Sequence, residues 1–148
     1  MLQDLIRRLA GPPARDPLTP EDARLAMAAL MVRLSRTDGR YSDPERARID
    51  LMLQRQYGLS ASDATAVRAE AEAAETSAQD TVQFTRLIKE AVPYEERAGV
   101  VEALWKVAAA ENGINADEHG LMRLVAGLLG VSDQDSALAR QRAIAGQG

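Results

Sequence analysis

The sequence predicts an all-α protein, a single-domain bundle of about seven helices built from two similar halves. Three observations carry that reading. Hydrophobic residues make up 46% of the 148 and aromatics only 3%, an Ala-, Leu- and Val-rich balance that suits closely packed helices and not strands. Apolar positions recur at helical spacing along most of the chain, and no segment reads as a strand. One segment also occurs twice, as ALMVRLSRTDGRYSDPERARIDLMLQRQYGLS from Ala29 to Ser60 and as ALWKVAAAENGINADEHGLMRLVAGLLGVS from Ala103 to Ser132. Each copy runs from an apolar helix through an acid-or-amide residue plus Gly, a polar turn and a Glu, to a second apolar helix closed by Gly-Leu/Val-Ser.

The elements follow in order. Leu2, Leu5, Ile6 and Leu9 give residues 2–10 a short amphipathic helix, which Gly11-Pro12-Pro13 breaks. Residues 1–18 are therefore an N-terminal helix and Pro-rich linker, either an arm or a helix folded back, and 19–144 are the helical domain. Thr19 and Pro20 supply an N-cap and a first-turn proline for a helix to about Thr37, with Ala26, Ala29, Leu30 and Leu34 along one face. A helix from about Asp43 to Tyr57 buries Ile49, Met52 and Leu53 and stops at Gly58. Ser60 caps ASDATAVRAEAEAAE, whose alanines and alternating acids suggest an exposed face and a loosely held element. Residues 79–91 form the next helix, with Val82, Phe84, Leu87 and Ile88, and Pro93 separates it from one over 94–110. That helix faces Val100, Val101, Leu104, Val107 and Ala108 inward. Helices over 116–129 and from Ser132 or Asp133 to about Ala143 complete the domain, and residues 145–148 form a tail that should fray.

Composition excludes several functions. The net charge of −4 is uneven: residues 1–60 carry ten Arg against eight Asp/Glu, and residues 61–118 carry five Lys/Arg against twelve Asp/Glu. An acidic middle argues against nucleic acid, which needs clustered positive charge. The arginines from Arg33 to Arg55 are interleaved with Asp38, Asp43, Glu45 and Asp50, as on a mixed solvated surface. No apolar stretch approaches the ~18 residues of a transmembrane segment, and no signal peptide is evident. With no cysteine there is no disulfide or thiol chemistry. A cytoplasmic protein is expected.

The turns of the two copies carry the chemistry. Asp38-Gly39 and Asn112-Gly113 end one helix each; Ser42-x-x-Glu45 and Asn115-x-x-Glu118 open the next with capping-box spacing. Capping accounts for the Gly, Ser and Asn positions. It does not account for Asp38 or Glu111, whose charge beside a helix C-terminus is mildly unfavourable. Carboxylates near exposed carbonyls make a hard-oxygen pocket of the kind Ca²⁺ or Mg²⁺ takes. If the halves pack about a pseudo-twofold axis, Asp38, Glu45, Glu111, Asp117 and Glu118 share one acidic surface. An EF-hand is excluded: with Gly39 sixth and Glu45 twelfth, positions one and three are Leu34 and Arg36, and the second copy has Ala108 and His119 at positions one and twelve.

At LSRTDGRYSDPE and AAAENGINADEH, each followed by an apolar helix and a Gly-Leu/Val-Ser stop, the chain resembles the tellurite-resistance TerB-like family over roughly Thr19 to Asp133. The resemblance implies a duplicated helical domain, cytoplasmic and non-catalytic, linked to tellurite and other stress responses, with acidic surfaces proposed to hold a divalent metal. By position Asp38 and Glu45 match the first motif and Glu118 the acid of the second. Asn112 stands where the family usually has Asp; it can still ligate through its carbonyl, and Glu111 is adjacent.

His119, the one histidine, reads as an exposed helix residue, since zinc prefers several N/S ligands. Trp105, Tyr41, Tyr57 and Phe84 read as core or half-buried. No nucleophile elbow and no phosphate loop occurs. The expected function is a non-catalytic module with a divalent cation (Ca, Mg or Mn) at Asp38, Glu45, Glu111, Asn112, Asp117 and Glu118, which presents a surface to a partner protein. The alternative is a metal-independent interaction bundle whose acidic middle docks a basic partner. A carboxylate enzyme using Asp38 and Glu45 comes third.

Overall fold

Every residue from Leu25 to Val32 is buried, so this helix has no solvent face and must lie at the centre of the domain. The computed structural model describes residues 20–37, 39–77, 81–109 and 114–145. Around the central helix α1 (Pro20–Ser35) stand α2 (Asp43–Tyr57), α3 (Ala61–Ser77), α4 (Thr81–Ala91), α5 (Arg97–Ala108), α6 (Ala116–Leu128) and α7 (Asp133–Ala145). A 3₁₀ turn at Tyr94–Glu96 precedes α5, and no strand occurs among the described residues. No helix of the described residues is long and apolar enough to cross a membrane.

α1 packs against α2, α3, α4 and α5, while α5 in turn packs against α6 and α7. Leu30 and Leu34 of α1, Ile49 and Leu53 of α2, Phe84 and Ile88 of α4, Leu104 of α5 and Met122 of α6 form one continuous core. The expected inward positions of α2 and α5 are all buried; Val82 of α4, expected among the apolar positions, is exposed.

Each boundary has a local cause. Thr37 Oγ1 donates to the Leu34 carbonyl at 2.9 Å, which closes α1 two residues short of the expected end. After α6 the Gly130 and Val131 N–H groups donate back to Gly127 and Ala126, at 3.1 and 2.8 Å. This is a Schellman stop, and Gly130 takes the φ of +75° it requires. The expected helix over 94–110 begins as the 3₁₀ turn because Pro93 interrupts the hydrogen-bond ladder. Arg97 spans the junction, donating to the carbonyls of Lys89 and Val92 at the end of α4 and to Leu129 after α6.

α3 is not loosely held. Ala64, Val67, Ala71 and Ala74 form a buried stripe, and small side chains let α3 approach α1 closely. Glu75 then locks the two helices together, accepting from Arg33 Nε at 3.2 Å and Arg36 Nη1 at 2.6 Å. The expected N-terminal helix and linker (1–18), and tail residues 146–148, lie outside the described residues.

Candidate functional site

Both turns of the repeat end in the same cap. Ser42 (φ −83°, ψ 165°) precedes α2 and Asn115 (φ −84°, ψ 173°) precedes α6. Ser42 Oγ accepts the Glu45 N–H at 3.3 Å, and Glu45 Oε1 accepts the Ser42 N–H and hydroxyl, each at 3.0 Å. Asn115 Oδ1 accepts the Glu118 N–H at 2.8 Å, and Glu118 Oε1 accepts the Asn115 N–H at 3.1 Å. These are two complete capping boxes, with each glutamate at the positive end of its helix.

Of the six candidate metal residues, Glu45 and Glu118 are thus oriented by their caps, and Asp117 is exposed on the first turn of α6. Asp38, Glu111 and Asn112 lie outside the described residues. Among the described residues no three His, Asp or Glu side chains form a cluster.

The first turn is tied to α3 by charge. Tyr41 packs beneath two guanidiniums, Arg36 at 4.9 Å and Arg46 at 4.4 Å from the ring centroid. Its hydroxyl is buried beside Glu72 and Arg68 without a well-formed hydrogen bond. Burial first, and the Glu72 carboxylate second, push the phenol pKa well above its ordinary value. Arg68 Nε donates to Asp50 at 2.6 Å and its Nη1 to Glu72 at 3.1 Å, while Arg46 also lies 3.6 Å from Glu72. Burial works to lower the Arg68 pKa, but the Asp50 hydrogen bond and the two acids raise it.

The second turn borders a cleft. Trp105 is 6% exposed and donates its indole N–H to Ser136 Oγ at 3.1 Å. His119 is half-buried, not exposed as its sequence context suggested, because its ring meets the Trp105 ring edge-on at 5.7 Å. The Arg140 guanidinium lies over Trp105 at 5.6 Å. With Arg123, Asp133 and Ser136 these residues line a cleft of about 360 Å³. Nothing local in the sequence marks Arg68, Arg123 and Arg140; the signal for them is the register of the repeat.

Among the described residues six helices surround or extend from a buried central one, and matching capping boxes open α2 and α6; together they define a small all-α bundle domain. Residues 24–141 match the family described as Tellurite resistance protein TerB. The chain belongs to that family. Its fold is similar to that of a protein of unknown function from Porphyromonas gingivalis W83, with a TM-score of 0.61 and 15% identity, over 90% of this chain and 98% of that one. No curated protein matches this chain.

Proposed function

We propose that this TerB domain is a non-catalytic, metal-responsive module of a tellurite or general stress response, and that it acts in the cytoplasm. The observation that carries the reading is the duplicated cap, in which Glu45 and Glu118 are held at the start of corresponding helices with Oε1 committed to the box. Asp38, Glu111, Asn112 and Asp117 supply the remaining oxygen ligands, a donor set suited to Ca²⁺, Mg²⁺ or Mn²⁺. The cation neutralises the two acidic turns and favours one arrangement of the halves, and that arrangement is recognised by a partner protein.

The test is calorimetric titration of chelator-treated protein with Ca²⁺, Mg²⁺, Mn²⁺ and Zn²⁺, alongside Asp38→Ala and Glu45→Gln variants. Saturable binding lost in both variants supports the reading. A folded wild type that binds none of them refutes the metal and leaves the interaction bundle, whose acidic segment would then capture its partner equally well in chelator. The stress link is tested separately by removing the gene and scoring growth on tellurite with and without the Glu45→Gln copy.

A further inference from the structure

The two copies of the repeat can be set in register on their caps, Ser42 against Asn115, and on their stops, Gly58-Leu59-Ser60 against Gly130-Val131-Ser132. The cap register places Ile49, Met52 and Leu53 on Met122, Val125 and Ala126, and all six are buried. The stop register places Ala64, Val67 and Ala71 on Ser136, Ala139 and Ala143, again all buried. Two independent anchors therefore give the same inside and outside for both copies.

In this register Arg68 of α3 falls on Arg140 of α7, but the acids that hold Arg68 have no counterparts. Asp50 falls on Arg123, and Glu72 falls on Ile144, which is exposed. Arg68 is bound by two carboxylates. Arg140 instead has a buried Nε–H with no acceptor among the described residues, and neither Arg140 nor Arg123 makes an ion pair with a described residue. Both arginines line the same cleft. Ser136 Oγ is already occupied as an acceptor by the Trp105 N–H, so its own hydrogen can be donated. The cleft has the volume of a small-ligand site.

We propose that this cleft binds a small oxyanion in the place that Asp50 and Glu72 occupy in the first copy. Arg140 supplies the forked donor, Arg123 a second positive charge, and the Trp105 and His119 rings the apolar wall. Asp133 also lines the cleft and opposes Arg123 and Arg140, so these three side chains sum to one net positive charge. That balance suits a monocarboxylate better than a phosphate dianion. The cleft differs from the proposed cation site in its described lining, which includes none of Glu45, Asp117 and Glu118.

Trp105 is the only tryptophan, so tryptophan emission, excited at a wavelength where the three tyrosines do not absorb, reports from this cleft. The titrants are sodium propionate, inorganic phosphate and sodium chloride at matched ionic strength. A saturable change with propionate, weaker with phosphate and absent with chloride, is expected. Arg140→Gln should weaken it about tenfold, the loss of one charge-assisted donor pair. Arg123→Asp restores the acid that Asp50 gives Arg68; at this exposed position it should abolish the response and raise the melting temperature. Tighter binding of phosphate than propionate would keep the site and overturn its preference. A wild-type response no different from chloride, or an unchanged affinity in both folded variants, would overturn the proposal.

Discussion

Glu45 caps α2 and is a proposed cation ligand, and one pair of substitutions separates the two roles. Glu45→Ala removes the carboxylate that accepts the Ser42 N–H and hydroxyl, both at 3.0 Å. A capping contact is worth about 1 kcal/mol, and the lost negative charge at the N-terminus of α2 adds roughly 0.3–1 kcal/mol. The expected cost is about 1–2 kcal/mol. Glu45→Gln keeps an acceptor oxygen in the same box, since glutamine serves at that position, and loses only the charge, at roughly 0.3–1 kcal/mol. In urea unfolding followed by helical circular dichroism in chelator, about 1 kcal/mol lowers the midpoint by roughly 0.3–1 M. Alanine should therefore move it two to three times as far as glutamine, as a rough ratio of those two costs. Cation affinity should rank differently, with glutamine nearly as damaging as alanine because a neutral amide is a weak ligand for a hard dication. Equal losses of stability for the two variants in chelator would refute the capping argument.

Other perturbations test the fold. Glu75→Ala leaves Arg33 and Arg36 without the acid that joins α3 to α1, at 3.2 and 2.6 Å; a loss of about 1–3 kcal/mol in the same unfolding assay is expected for charged, half-buried hydrogen bonds. Leu30→Ala, 1% exposed at the centre of α1, should cost roughly 2–5 kcal/mol. Gly58 has φ +66° with nothing within 4 Å of an added Cβ, so Gly58→Ala isolates backbone strain, about 1–2 kcal/mol. Burial pushes the Tyr57 phenol up to about 12 from 10.0, against a small opposing effect of Arg24. Since the unfolded chain releases that proton first, stability should be insensitive to Tyr57 below pH 10 and fall from pH 10 to about 12. A Tyr57→Phe variant should flatten that part of the profile, and an unchanged slope would exclude Tyr57 as its source.

How much of this was legible in the sequence depended on whether the cause was local. The capping boxes were legible because every atom involved lies within four residues, and the stops at Gly58 and Gly130 were legible for the same reason. The tightness of α3 was not. Its alanines gave a weak apolar signal although Ala71 and Ala74 are fully buried, and Glu75 meets arginines some 40 residues away. The sequence alone puts His119 on an exposed helix face, because nothing nearby in the chain announces Trp105 as its neighbour. The six proposed cation ligands are a pattern of acids and amides in the sequence, and local sequence carries no information on how two turns about seventy residues apart lie relative to each other.

The duplication also bears on how the two proposed sites would communicate. In the first copy the turn, α2 and α3 are joined by internal charges, with Arg68 closed by Asp50 and Glu72 and Tyr41 covered by Arg36 and Arg46. In the second copy the equivalent Arg140 has no ion pair with an acid among the described residues, so the anchoring of α6 to α7 is the part of the domain that the proposed ligand would strengthen as its concentration rises above Kd. Glu118 and His119 are consecutive residues on the first turn of α6, one held in the cap and the other set against Trp105. If the proposed cation reorients the Asn115–Glu118 turn, it moves one wall of the proposed anion cleft, and a bound anion would resist that movement. Linkage then requires each to change the affinity of the other by the same factor. The sign follows from geometry: an anion that fixes His119 in the capped arrangement favours whichever cation state keeps the box closed.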